Sequence, residues 1–167
     1  MKKNLGLIVL LLAACLFTCI ANDRFLAPVN IENLLRRTAL FSLLSIGVSF
    51  VITSAGIDLS VAGNMALTMM FTAWLYAEKQ WPFVITLVAG LALGALVGLV
   101  NGLLATYGRV QAFVATLATM SACLGLALVI TNGNTINGFP EWFVNLTSAE
   151  LFGFIPLQAV LMIAIYA

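Results

Sequence analysis

The sequence predicts an all-α integral membrane protein: a polytopic bundle of about five to six transmembrane helices, with one helix broken near Gly56 and Ser60. Three observations predict it. Hydrophobic residues make up 63% of the 167-residue chain and charged residues only 8%, whereas a soluble domain carries about 25% charged residues. Mean hydropathy is +1.13. Apolar runs of bilayer-spanning length recur along the chain, separated by short polar punctuation. The net charge of +1, with no basic patch and no histidine, excludes nucleic acid as a partner and leaves membrane lipid as the surroundings.

The first span is Leu5–Ala21, preceded by Lys2 and Lys3. A basic start before an apolar run also suits a signal peptide, and Leu12-Ala13-Ala14-Cys15 resembles a lipoprotein cleavage box. The apolar character continues past Cys15 through Leu16 and Phe17, so a membrane helix is the better reading. Residues 22–37 are polar and partly amphipathic, and Asn30 is placed to cap a short helix there. The second span covers residues 38–53, and the third, Val61–Ala77, follows the break. A polar turn at residues 78–82 carries an interfacial Trp81. The fourth span covers residues 83–107, and a short turn with Arg109 leads to the fifth, Ala112–Thr131. Residues 132–156 read as a long loop, and a last apolar stretch runs from Leu157. Cys15, Cys19 and Cys123 all lie in apolar stretches without a C-x-x-C pair, and read as small apolar residues rather than disulfide or metal ligands.

Lys2 and Lys3 place the N-terminus in the cytoplasm. Counting spans then puts the Asp58 break and Arg109 towards the inner side, and residues 78–82 and 132–156 outside. The acidic Glu141 and Glu150 fit that orientation, while Arg24, Arg36 and Arg37 run against it.

Asp58 is the only charged residue between Thr38 and Ala77. A carboxylate at membrane depth costs about 2.5–3.5 kcal/mol on insertion scales. Ser54, Ala55, Gly56, Ser60, Ala62, Gly63 and Asn64 surround it, a composition that points to an interrupted helix whose freed backbone groups need partners. In the fourth span Gly90, Gly94, Gly98 and Gly102 fall every fourth residue, which draws a slowly turning stripe suited to close helix packing. Asn101 beside its end reads as an amide that ties helices together.

No phosphate-binding G-x-x-x-x-G-K-[ST] loop occurs, and without histidine neither H-E-x-x-H nor a serine–histidine pair is possible. Asp58 stands without a second intramembrane acid, which argues against a proton-relay carrier and an aspartyl protease. Asn145-Leu146-Thr147 matches a glycosylation sequon, a pattern short enough to arise by chance.

Gly56-Ile57-Asp58-Leu59-Ser60-Val61 resembles the signature of inner-membrane permeases of ribose-type ATP-binding-cassette (ABC) importers, relatives of the branched-chain amino acid permeases. The likeness extends through Phe25-Leu26-Ala27-Pro28-Val29-Asn30, the second helix from Ser45 to Ile52, Gly98-Leu99-Val100-Asn101-Gly102, and Ala112-Phe113-Val114-Ala115-Thr116. It departs at Ala55 and Ala62, where the family usually has glycine, and at Gln111-Ala112, where it often has proline before the phenylalanine. Family members are also much longer.

The resemblance implies a non-enzymatic transport subunit that moves a ribose-like monosaccharide across the bacterial inner membrane by alternating access. Its implied partners are a second permease copy or relative, a periplasmic solute-binding protein, and separate ATP-binding-cassette subunits that hold the ATP. This chain itself would bind no cofactor or metal and contain no catalytic residue. Gly56, Ile57, Asp58, Leu59 and Ser60 would form a translocation or gating motif. In it, Asp58 serves first as an anchor for the broken helix rather than as a sugar ligand. Residues 1–167 would form one transmembrane domain, the N-terminal part of a longer permease. The alternatives are a permease for branched-chain amino acids or another small polar solute, and a truncated, non-transporting membrane fragment.

Overall fold

The computed structural model describes residues 5–54, 56–151 and 155–166. Lys2 and Lys3, on which the orientation rests, lie outside them, as does Ala55 beside the break. The described residues form seven helices and one two-stranded hairpin, an all-α membrane architecture. They fall into two compact units, one of residues 1–43 and 145–167, the other of residues 44–144.

In the first unit, α1 (Leu5–Ala21) has no buried residue, as suits a helix whose surroundings are apolar. Helix α2 (Pro28–Thr53) is one continuous helix of 26 residues, and this corrects the expected division into a capped short helix and a span starting at residue 38. Pro28 explains it. Its fixed φ suits the first helical position, where its missing N–H costs nothing. The Ala27 carbonyl accepts the Ile31 N–H at 3.1 Å. Asn30 is therefore already inside the helix, and its Nδ2 donates backwards to the Phe25 carbonyl at 2.7 Å. Glu32 and Arg36, spaced i,i+4, pair on the same helix at 2.7 Å.

Arg36 also organises the remainder of this unit. Its guanidinium donates to the carbonyls of Thr147 and Ser148 at 2.8 and 3.1 Å and pairs with Glu150 at 3.2 Å. The expected loop at residues 132–156 holds more structure than its composition suggested. Helix α6 (Glu141–Ser148) and the hairpin of β1 (Glu150–Leu151) with β2 (Ile155–Pro156) lie inside it. The register pairs Glu150 with Pro156 and Leu151 with Ile155. The missed helix carries a starting signal: Pro140, then Glu141 in its first turn. Helix α7 (Leu157–Tyr166) follows, with the Tyr166 hydroxyl donating to the Ser42 carbonyl at 2.9 Å.

The second unit is built on α3 (Val61–Ala77), α4 (Phe83–Thr106) and α5 (Ala112–Thr131). The sequence placed α3 and α5 at these bounds and extended α4 by one residue, to Tyr107, which caps that helix. Punctuation explains the agreement. Pro82 opens α4, and the Arg109 turn with φ 53° separates it from α5. Asn132 and Gly133, both at positive φ, close α5, and the Gly133 N–H reaches back to the Leu128 carbonyl at 3.0 Å. Helix α3 packs against both neighbours. The core is Leu67, Val97, Cys123 and Ala127, with Leu93 and Ile130 against it. Helices α2, α4 and α5 are each long and apolar enough to cross a membrane.

Candidate functional site

The site begins where α2 ends. Ser54 and Thr53 return their hydroxyls to the Val51 and Phe50 carbonyls, and the Gly56 N–H closes a wide turn onto Val51 at 3.0 Å. Residues 56–59 are non-helical and α3 restarts at Val61. Asp58 controls the restart. Its Oδ1 accepts both the Ser60 N–H at 2.7 Å and the Ser60 hydroxyl at 2.6 Å, an Asx turn immediately before the helix. The Ser60 carbonyl in turn accepts the Asn64 N–H, the first bond of α3.

The magnitudes account for the isolated carboxylate. Holding it at membrane depth costs about 2.5–3.5 kcal/mol. Each hydrogen bond to a charged group contributes about 1.5–3 kcal/mol, so two of them offset the cost. A negative charge at a helix N-terminus adds a few tenths of a kcal/mol, up to about 1.

From Ser60 a chain of hydrogen bonds crosses three helices. The Asn101 amide on α4 donates to the Ser60 Oγ at 2.8 Å. The Thr119 hydroxyl on α5 donates to the Asn101 Oδ1 at 2.6 Å. Ser60 and Asn101 are 2% and 6% exposed, so water does not compete for these bonds. Nearby, the Thr116 hydroxyl lies 3.2 Å from the Ile57 carbonyl within the break and 2.8 Å from Ala112 on its own helix. Leu59 is half-buried and Ile57 exposed. Thus Asp58 and Ser60 act through side chains, whereas Gly56 and Ile57 supply backbone groups.

The glycine stripe divides in two. A Cβ at Gly90 would stand 2.2 Å from the Thr72 Oγ1, and one at Gly94 would stand 3.2 Å from the Thr68 Cγ2. At Gly98 and Gly102 nothing described lies within 4 Å. Among the described residues, close approach therefore belongs to Gly90 and Gly94. The tightest contact with backbone is elsewhere, at Gly63, where a Cβ would meet the Met120 carbonyl of α5 at 2.6 Å.

A second stripe, which the sequence reading missed, faces the glycines. Ser60, Asn64, Thr68 and Thr72 recur every fourth residue on α3, so they share one face. The Asn64 Nδ2 donates to the Gly94 carbonyl at 3.1 Å, while its buried Oδ1 has no partner among the described residues. Thr72 and Thr68 return their hydroxyls to their own helix. This period of four was the signal available in the sequence. Asp58 and the whole stripe line a cavity of about 740 Å³, with Val61, Met65 and Met69 as apolar wall and Phe139 and Phe143 at one end.

The geometry thus combines a broken helix, a polar stripe and a cavity between membrane helices. The family model for the permease component of branched-chain amino acid transport systems matches residues 30–167, a segment that contains every residue of the site, and the chain belongs to that family. It is 39% identical over 160 residues to the ribose import permease protein RbsC of Bacillus subtilis (strain 168), covering 95% of this chain and 48% of the relative. It is 38% identical over 141 residues to the xylose transport system permease protein XylH of Escherichia coli (strain K12), covering 81% and 36%. It is 32% identical over 152 residues to the D-allose transport system permease protein AlsC of the same strain, covering 91% and 46%. The chain spans about half the length, or less, of these curated relatives. No solved structure gives a significant match.

Proposed function

We propose that this chain is the N-terminal part of the permease subunit of an ABC importer, and that it carries a monosaccharide across a bacterial inner membrane by alternating access. The observation that supports it is the coincidence of the Asp58–Ser60–Asn101–Thr119 chain and its cavity with the segment that matches the permease family. The relatives named above are permeases for ribose, xylose and allose, which favours a sugar over a branched-chain amino acid. Alternating access needs elements that hold one arrangement firmly and can change to another. A helix broken at Gly56, Ile57, Asp58, Leu59 and Ser60, restarted by a side chain and tied to two neighbours, is such an element.

In this reading residues 1–167 belong to one transmembrane domain with a cytoplasmic N-terminus. The chain binds no cofactor itself and is not an enzyme. ATP is hydrolysed on partner ATP-binding-cassette subunits, a second permease copy or relative completes the pathway, and a periplasmic solute-binding protein delivers the sugar. Arg36, which ran against the proposed orientation, has a structural reason for its place in its pairing with Glu32 and Glu150.

Affinity purification of the tagged chain, followed by uptake of labelled ribose, xylose, allose and leucine in cells expressing it with its partners, tests the proposal. Co-purification of an ATPase subunit with ATP-dependent sugar accumulation is the expected result. Accumulation of leucine alone moves the assignment to amino acids. Neither ATPase binding nor accumulation of any solute leaves a non-transporting membrane fragment.

A further inference from the structure

One end of the central cavity is aromatic. Phe139 lines the cavity, and its ring stacks on Tyr76 with centroids 6.0 Å apart and planes 2° from parallel. Tyr76 lines a second pocket, of about 280 Å³, beside the turn between α3 and α4. The stacked pair therefore touches both spaces, Phe139 on the cavity and Tyr76 on the pocket. Its rings are held by their surroundings: Tyr76 lies edge-on to Phe83 at 5.6 Å, and Phe139 packs on Phe143 at 5.8 Å.

The smaller pocket has its own chemistry. Trp81 presents an indole that is 47% exposed. The Tyr76 hydroxyl and the Asn137 amide make no hydrogen bond among the described residues. Gln80, at φ 57°, uses its Nε2 on the Ala77 carbonyl at 2.6 Å, which leaves its side-chain oxygen as an acceptor. Together these groups offer donors, acceptors and a flat apolar face. No charged side chain lines the pocket among the described residues. An amino acid zwitterion there would leave both its charges unpaired, at high cost. A neutral polyhydroxylated ring uses every element: its hydroxyls both donate and accept, and its C–H face packs on the indole. The volume is just below the roughly 300–1,000 Å³ of pockets for drug-sized ligands, so the occupant must be small.

We propose that this pocket is a second monosaccharide site, in series with the central cavity, and that the Tyr76–Phe139 stack is the barrier a sugar crosses between them. The inference rests on the monosaccharide reading above.

The test uses the full chain in lipid nanodiscs. With Trp74→Phe and Trp142→Phe, Trp81 is the only tryptophan left. Titration with ribose, xylose or allose should change Trp81 emission saturably. Asn137→Ala should weaken that response by roughly two- to tenfold, the effect of losing one or two neutral hydrogen bonds. Thr68→Val, in the central cavity, should leave it unchanged. A silent Trp81 with every sugar, a response indifferent to Asn137→Ala, or a response to leucine alone overturns the second site. Parallel uptake by the complete importer separates the two readings. Sugar uptake with a silent Trp81 overturns the second site only, whereas absence of all sugar uptake overturns the monosaccharide reading with it.

Discussion

Gly90→Ala and Gly98→Ala are the same chemical change, four residues apart on one helix, and they should differ in outcome. At Gly90 the new methyl would stand 2.2 Å from the Thr72 Oγ1, 3.6 Å from the Thr72 Cβ and 3.7 Å from the Thr68 carbonyl. The hydroxyl is held there by its own bond to the Thr68 carbonyl at 2.7 Å. Either it swings away and loses that bond, or α3 and α4 separate. Overpacking of this kind costs about 1–3 kcal/mol. At Gly98 no described atom lies within 4 Å, so only the helix-propensity gain of about 1 kcal/mol applies. That gain is common to both variants and cancels in their difference. Gly90→Ala should therefore be less stable than Gly98→Ala by about 1–3 kcal/mol. Thr72→Ala removes the offending oxygen and leaves an ordinary 3.6 Å contact, so it should restore most of the loss. A double-mutant cycle should then show coupling of at least about 1 kcal/mol. Titration of the full chain in mixed micelles with a denaturing detergent, followed by circular dichroism, measures these differences. Equal stability of the two alanine variants, or zero coupling between positions 72 and 90, refutes the packing argument.

Other expectations follow the same logic. Gly63→Ala should be the most damaging glycine change, since the atom in its way is the Met120 carbonyl rather than a side chain; the same titration should rank it below Gly90→Ala. Asp58→Asn keeps an oxygen for Ser60 but loses the charge assistance, so membrane insertion should persist while uptake by the complete permease falls; wild-type uptake removes Asp58 from the mechanism. Asn101→Leu leaves the Ser60 and Thr119 hydroxyls without their buried partner, for a loss of about 1–3 kcal/mol in the micelle titration; Thr119→Val should cost less, because only one link is lost. Arg36→Lys cannot reproduce a planar fork that reaches two carbonyls and two carboxylates. Limited proteolysis near Thr147 and Ser148 should accelerate in that variant as in Arg36→Ala, and protection equal to wild type would show the network to be dispensable.

Much of the fold was legible because a bilayer imposes both length and punctuation. Apolar length placed α1, α3 and α5, and Pro82 and the Asn132–Gly133 pair marked helix ends that the backbone respects. The start of α2 was missed because hydropathy reports where apolar surface begins, not where helical geometry does. Glu32 and Arg36 support helix in a stretch too polar to count as a span. Helix α6 was missed because eight residues bounded by proline look like loop on composition alone. At the site, Asp58 announced itself as a lone charge, and its partner Ser60 is only two residues away. Thr119 reaches Asn101, and Asn101 reaches Ser60, only after three helices pack, and nothing local in the sequence pairs them. The stripe of Ser60, Asn64, Thr68 and Thr72 was readable by period, but hydroxyls that satisfy themselves on their own helix stand out less than a charge.

Counting protons along the Asp58–Thr119 chain separates its permanent links from its detachable ones. Ser60 has one hydroxyl proton, committed to Asp58, and the Asn101 amide reaches it from another helix. Thr119 also has one proton, but two acceptors within reach: Asn101 at 2.6 Å and the Ala115 carbonyl of its own helix at 2.9 Å. Thr116 stands in the same position between Ile57 and Ala112. Both α5 hydroxyls can therefore let go of the neighbouring elements without orphaning a donor, and only the Asn101 and Ile57 oxygens lose a partner. The α3–α4 pair has no such fallback at Ser60 and Asn101. The hydrogen bonds that can be released without orphaning a donor thus lie on α5, and the Asp58–Ser60 restart of α3 does not depend on them.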